Sequence, residues 1–523
     1  METTFQYLNE DTLIGANRPA SVGLLNSYMN VFYRQAGFKA GVRFESYLPR
    51  IQGYPNNFDG TGLGMRYVGY ENDYVDITLG HFYEQFGSGM ALRAYEDRAL
   101  GYDTALDGAR VILRPFKGIT FKGVYGKNRY KFVDGRVTSS AAIVRGFDGE
   151  IHLNETFNRF FEGKKLDLSF GGSIVSKYQS DDNEEFVLPE NVGVYGGRMK
   201  MRYGKFYMDA EYIHKDNDPS SDNAYIYNSG HAALANFGYS QKGLGILFSA
   251  KSVDNMSFRS DRTEQLQNVL INYLPAMNKT HTYNLVASLY PYATQPLGEI
   301  AYQGEVLYTI KKGSKLGGKY GTSINANYSV AFRPNQRTIN YTTFDSSRVT
   351  YNSSPFDASD SLYWQDFNIS INRKFNSKFN MILNYYNISV NNDVAKITND
   401  AHGIISTNIV VAELGYKINK KHSVRAEVQG LFTKQDKGDW ATAVIEWTIA
   451  PNFFFGVMDQ FNYGNPVDDL KIHYLIGTFG YVREATRITM SYGRQRAGLF
   501  CVGGVCRFVP ASNGLTVSFT QSF

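Results

Sequence analysis

Apolar and polar residues alternate with a period of two along almost the whole chain. In KLDLSFGGSI, Leu166, Leu168, Phe170 and Ile174 share one face, and Asp167, Ser169, Gly171 and Ser173 share the other. In TSINANYSVAF, Ile324, Ala326, Tyr328, Val330 and Phe332 oppose Ser323, Asn325, Asn327 and Ser329. In HSVRAEVQGLF, Val424, Ala426, Val428 and Phe432 oppose Arg425, Glu427 and Gln429. Successive side chains of an extended strand point to opposite sides, so the pattern predicts strands with one apolar and one polar face.

A slower rhythm lies over this one. Tight connections (RQAG at 34–37, PFKG at 115–118, YGK at 203–205, SQKG at 240–243, FNSK at 375–378, NKK at 419–421, APN at 450–452) alternate with long polar segments at 49–63, 87–106, 179–190, 214–229, 254–298, 334–363, 391–405 and 496–513. Counting in this way predicts about 24 strands (roughly 22–26), with short turns at one end and long loops at the other, as in a transmembrane β-barrel. A soluble sandwich or propeller has no reason to sort its connections by length so consistently. The expected architecture is therefore all-β: one antiparallel barrel domain over residues 1–523. The segments 87–106, 254–298 and 334–363 are long enough to fold into or over the lumen.

Composition removes the objections to a membrane protein. Mean hydropathy is −0.34, and no apolar run approaches the roughly 18–20 residues of a membrane helix. A barrel needs neither feature, because its backbone is satisfied around the ring and only its outer face must be apolar. The 39 Tyr and 36 Phe then have a place in girdles at the two membrane interfaces. Net charge of +5 is spread along the chain, which leaves no nucleic-acid footprint. The start, METTFQYLNE, lacks a basic segment followed by an apolar one and reads as a mature form, with the origin of Met1 open. In the final strand Leu515, Val517, Phe519 and Phe523 face outward, opposite Thr516, Ser518, Thr520 and Ser522. A terminal aromatic on an amphipathic strand resembles the assembly signal of bacterial outer-membrane barrels. With an even strand count, both termini are expected on the periplasmic side.

Three features invite a chemical reading. The only cysteines, Cys501 and Cys506 in CVGGVC, fall in the last long loop, where an oxidising exterior favours a disulfide. Gly503 and Gly504 suit a tight turn that sets the cysteines opposite each other. Two thiols with no nearby His do not fill a zinc site, and the spacing is not that of a redox C-x-x-C. In residues 79–110, Arg93, Glu96, Asp97, Arg98, Asp103, Asp107 and Arg110 form a balanced charged stretch. They are candidates for a lumen constriction, or for a salt-bridged segment that fills the lumen; the balance of signs favours the second. In RMKMRYGKFYMDAEY, Arg198, Lys200 and Arg202 face Asp209 and Glu211 across a tight turn and are expected to pair along the lumen wall. IVRGFDGE carries a similar cluster, Arg145, Asp148 and Glu150. The eight His are scattered, and DNDPSSDN lacks the spacing of a calcium loop. No cofactor or metal is implied.

FYEQFGSGMALRAYEDRALGYDTALDG, IVRGFDGE, YLPAMNKTHTYNLVASLYPYATQPLGEIAYQGE and GRQRAGLFCVGGVCRFVPASNG together resemble a family of predicted outer-membrane barrels from Bacteroidota, over essentially the whole chain. The resemblance implies the fold and an outer-membrane address. It brings no activity or catalytic residue. Such bacteria often join large barrels to lipoproteins or embed them in export and assembly machines. Two functions follow. The first is a non-enzymatic accessory or structural subunit of an outer-membrane transport, export or assembly complex. Its apolar loop 254–298 would dock a lipoprotein or another barrel. The second is a porin-like channel for solutes or polymers. The expected surroundings are outer-membrane lipid and the barrel-assembly machinery, with no nucleic acid.

Overall fold

A computed structural model describes residues 1–340, 349–396, 401–502 and 505–523. The turn expected at Gly503 and Gly504 lies outside these residues, as does the centre of the 334–363 segment.

Twenty-four antiparallel strands follow one another in chain order, from Glu2–Asn9 to Ser512–Gln521. Each pairs with its sequence neighbour. Glu2–Asn9 also pairs with Ser512–Gln521, from Glu2 opposite Thr520 to Asn9 opposite Asn513, and this closes the ring. Arg136–Ser139 belongs to the same sheet, prolonging the hairpin begun by Ile119–Val133 and meeting Gly60–Glu71 at Arg136 opposite Leu63.

The connections are sorted as the sequence predicts. At one end lie 36–37, 72–74, 117–118, 204–205, 242–243, 375–378, 418–421, 450–452 and 484–485, together with both chain termini. Gly118 and Gly243 close two of the tightest turns with φ of 81° and 82°, a backbone that residues with a Cβ adopt at a cost. Two longer connections, 153–165 and 311–321, belong to this end as well. Length alone did not assign them. At the other end lie the long loops, including 83–105, 179–190, 216–229, 255–297, 335–357 and 496–511.

Burial is inverted relative to a soluble protein. Val428 is 62% exposed while its neighbour Gln429 is 1% exposed; Ile174 is 61% exposed and Ser173 3%. The apolar face points out and the polar face in, as a barrel in lipid requires. Exposed aromatics gather beside the short turns: Tyr33, Phe38, Tyr74, Phe116, Tyr203 and Phe206 on one side of the ring, and Tyr308, Phe375, Tyr416, Trp447 and Phe453 on the other. They form the girdle expected at one interface.

Towards the long-loop end the inner face changes character. Val175, Val194, Ile213, Val253, Val390, Ile409 and Val411 point inward and are buried. What covers them is the chain itself. Phe86, Met90 and Leu92 of the 83–105 loop and Met256, Phe258, Leu285, Val286 and Leu289 of the 255–297 loop join them in one hydrophobic cluster inside the barrel. Most of the apolar residues of 254–298 are therefore buried against the barrel's own wall, with Leu266 left exposed. They do not form the external docking surface on which the accessory-subunit reading leaned.

Candidate lumenal site

The two inward loops are held to the wall by polar contacts spread around the ring. In 83–105, the short strands Glu84–Phe86 and Leu92–Ala94 pair, as do Glu96–Asp97 and Tyr102–Asp103. These hairpins present their charges to the wall. Arg43 holds Glu96 (3.0 Å) and Asp103 (2.6 Å), and Arg129 holds Asp103 (2.9 Å) and Glu45 (2.6 Å). Arg98 pairs with Glu96 (2.9 Å) and with Glu2 (2.6 Å). Asp97 accepts from the Leu100 amide at 3.0 Å. Arg93 lies between the rings of Tyr95 and Tyr273, 4.3 and 4.0 Å from their centroids. Beside it, the Arg93 amide donates to Ile271 O and the Tyr273 amide to Gly89 O, both at 2.9 Å. The two loops are thus stitched together. Asp107 and Arg110 sit on the wall itself, Asp107 with Arg66 at 3.3 Å and Arg110 with Asp76 at 2.5 Å. Glu96, Arg98 and Asp103 come together in one buried network, while Arg93, Asp97, Asp107 and Arg110 lie in separate contacts.

The second predicted cluster divides. Arg198 lies opposite Glu211 and Lys200 opposite Asp209, in the expected register. The side chains choose other partners. Arg198 turns to Asp148 (2.7 Å) and Glu150 (2.8 Å) on Ile143–His152, two strands earlier, and Lys200 reaches Glu150 at 3.8 Å. Glu211 accepts from the Ser88 amide of the inward loop at 2.8 Å, and Asp209 accepts from Asn236 at 2.7 Å. Arg202 is exposed, opposite Tyr207. Glu211 thus belongs to the loop's support.

The 255–297 loop runs along the wall, from the strand that follows it to later ones. Lys279 pairs with Glu305 (3.1 Å) and His281 with Asp366 (2.7 Å). Tyr283 donates to Glu413 at 3.2 Å, and burial together with that carboxylate pushes its phenol up to about 12. The Leu285 amide donates to Gln429 (3.0 Å), Gln460 donates to Asn284 (2.8 Å), and Tyr290 donates to Asp436 (2.9 Å). Most of these partners were missed from sequence because they sit singly on strands and loops distant in the chain. A local signal did exist: consecutive apolar residues such as Ile409, Val410 and Val411 break the alternation where the wall is covered on both faces. Nearer the short turns the lumen stays charged, with Lys200, Asp209, Arg425 and Glu446 along it.

Cys501 and Cys506 are directly opposite in the hairpin Gly498–Val502 with Val505–Val509 and are joined by a disulfide. Leu515, Val517 and Phe519 lie opposite Tyr7, Phe5 and Thr3 at the closing seam, and Phe523 lies beyond the strand, exposed. Asp218 and Asp222 of DNDPSSDN pair with Lys177 (2.7 Å) and Arg259 (3.0 Å). Among the described residues no group of three or more His, Cys, Asp or Glu is placed to hold a metal ion.

A closed ring of antiparallel strands, apolar outside and polar inside, defines an outer-membrane β-barrel. The whole chain, residues 1–523, matches the Family of unknown function (DUF6029), and the protein belongs to that family. Among solved structures, it is similar to OccAB3 of Acinetobacter baumannii (10% identity, TM-score 0.33, covering 77% of this chain and 98% of that one). It is also similar to a mutant of the ferric enterobactin receptor PfeA of Pseudomonas aeruginosa (9%, 0.44, 100% and 80%). The translocation pore of the P pilus usher PapC is a third (9%, 0.35, 99% and 98%). The likeness is one of barrel architecture and does not extend to chemistry. A search of curated proteins finds no match.

Proposed function

We propose that the protein is a non-enzymatic outer-membrane channel for small polar solutes, occluded by its own loops. The observation that carries this reading is the way the 255–297 loop is seated. Its apolar residues pack on the upper wall, but its contacts with the later strands are isolated polar ones, such as His281 with Asp366, Tyr283 with Glu413 and the Leu285 amide with Gln429. Water replaces such bonds when a loop moves, so each holds the loop by only about 0.5–3 kcal/mol net. Below the loop, a charged lumen continues towards the short turns. In this reading the long loops face the cell exterior, the termini and short turns face the periplasm, the exposed outer face meets outer-membrane lipid, and the barrel-assembly machinery inserts the chain. The resemblance to Bacteroidota barrels suggests its source.

The test is conductance in planar bilayers. The intact protein is expected to be silent or to flicker. A variant with residues 258–295 replaced by a short Gly-Ser linker is expected to give large, steady steps. Silence from the folded, inserted deletion variant would sink the channel reading. It would favour a second one, an accessory subunit of an outer-membrane complex with a lipoprotein or another barrel as its partner. Val187 and Leu266, 87% and 78% exposed on the long loops, are the observation in its favour.

A further inference from the structure

Beside the 255–297 loop, where Glu2–Asn9 meets the last strands of the ring, the lumen contains a cavity of about 330 Å³. Gln6, Gln460 and Tyr474 line it from the wall, Asn284 and Ser288 from the loop, and Gln52 from the neighbouring 48–59 segment. Arg496 and Arg507, on either side of the disulfide-closed hairpin, complete it.

These half-buried arginines differ from the fully buried cations. Arg43, Arg129, Arg198 and Lys177 each hold at least one carboxylate. Arg496 instead donates to Ser288 O (2.7 Å) and Ala497 O (2.9 Å), and Arg507 to Gly53 O (2.6 Å). Among the described residues neither has an ion-pair partner, and the Nε of each is buried without a hydrogen bond. A third lining arginine, Arg494, is already neutralised by Asp11 at 2.7 Å. None of the lining residues is acidic. Asp436 and Asp97, which act on the two guanidiniums through space, are engaged with Tyr290 and with the Leu100 amide. Burial pushes both guanidiniums below their usual range, the direction expected where desolvation outweighs the distant carboxylates. The Oε1 of Gln52 is likewise buried and unbonded. It is an acceptor suited to a hydroxyl.

We propose that this cavity binds a small hydroxylated organic anion, its carboxylate or phosphate held by Arg496 and Arg507 and its hydroxyls by the surrounding amide side chains. Guanidinium groups suit such anions because their fixed N–H donors match two oxygens at once. The proposal rests on the channel reading in one respect: it names the class of solute that the channel would pass.

The test uses the intact protein in detergent micelles, titrated with D-galacturonate, glucose 6-phosphate and neutral D-galactose. Heat is followed by calorimetry, and the emission of Trp440, whose ring lies 5.7 Å from the Arg496 guanidinium, gives a second readout. At least one anion is expected to saturate, with galactose binding at least about tenfold more weakly, the equivalent of about 1.4 kcal/mol. R507Q, which leaves the Arg496 contact with the loop in place, is expected to weaken the anion by a similar factor; R496Q is the companion variant. Equal binding of galactose and galacturonate, no saturation by either anion, or an unchanged affinity in R507Q would overturn the site. The two proposals fail separately. Anion binding with a silent deletion variant removes the channel and leaves the site. Conductance from the deletion variant, with no anion bound by the intact protein, removes the site alone.

Discussion

At the scale of single residues the protein is governed by buried charge. Lys177 and Asp218 are 1% and 3% exposed at the side chain, 2.7 Å apart, with Lys215 nearby at 3.9 Å from the same carboxylate. Removing one member of such a pair leaves an uncompensated charge and costs about 3–5 kcal/mol. D218A is therefore expected to lower the unfolding free energy of the barrel in vesicles, read from urea titration, by that amount, and K177M/D218A to recover part of it. If D218A unfolded at the same urea concentration as the parent, the pair would not be holding the 216–229 loop. This level was partly legible in sequence. The charges of 79–110 read as balanced, yet their partners, Arg43, Arg129 and Glu2, lie on strands far away in the chain. Spacing along one segment cannot register them. The 198–211 cluster shows the same limit: the register was readable, and the rotamers that send Arg198 to Asp148 were not.

At the scale of elements, the loops fold as units held by a few fixed points. The hairpin around Cys501 and Cys506 closes a short ring, and its disulfide contributes about 2–3 kcal/mol. C501S/C506S is expected to speed amide exchange within 498–509 while the wall strands keep their protection; loss of wall protection as well would show that the hairpin supports the barrel. The 255–297 loop has its own pH limit. The Tyr283 phenol is raised to about 12 in the fold against about 10 in the unfolded chain. Its contribution is thus fully present below pH 10 and lost as pH rises from 10 to 12. A difference titration of tyrosinate absorbance between the parent and Y283F should place the missing step near pH 12. A missing step near 10 would mean that the phenol is not seated in the lumen.

At the scale of the whole molecule, the alternating pattern fixes which side of every strand meets lipid. Val457 is 54% exposed at the middle of Phe453–Phe461. An arginine on the lipid face near the midplane costs about 2–4 kcal/mol. V457R should show this loss in urea titrations, and S491R, on the inward face of Thr486–Gln495, less than half of it. Equal losses at both positions would contradict the assignment of faces.

The sequence by itself determined the strands, their number to within a few, the sorting of most short and long connections, and the class of protein. These follow from period-two alternation and turn residues, which are local properties repeated along the chain. Only the tertiary structure decided that the apolar loop 255–297 turns into the lumen. An apolar loop must be covered, but the chain does not state whether its own wall or a partner covers it. That choice depends on the inward-facing valines and isoleucines of strands far apart in sequence, which form a surface only once the ring has closed. The same holds for Arg496 and Arg507. Each is an ordinary loop arginine until closure brings them to one cavity with no carboxylate in its wall.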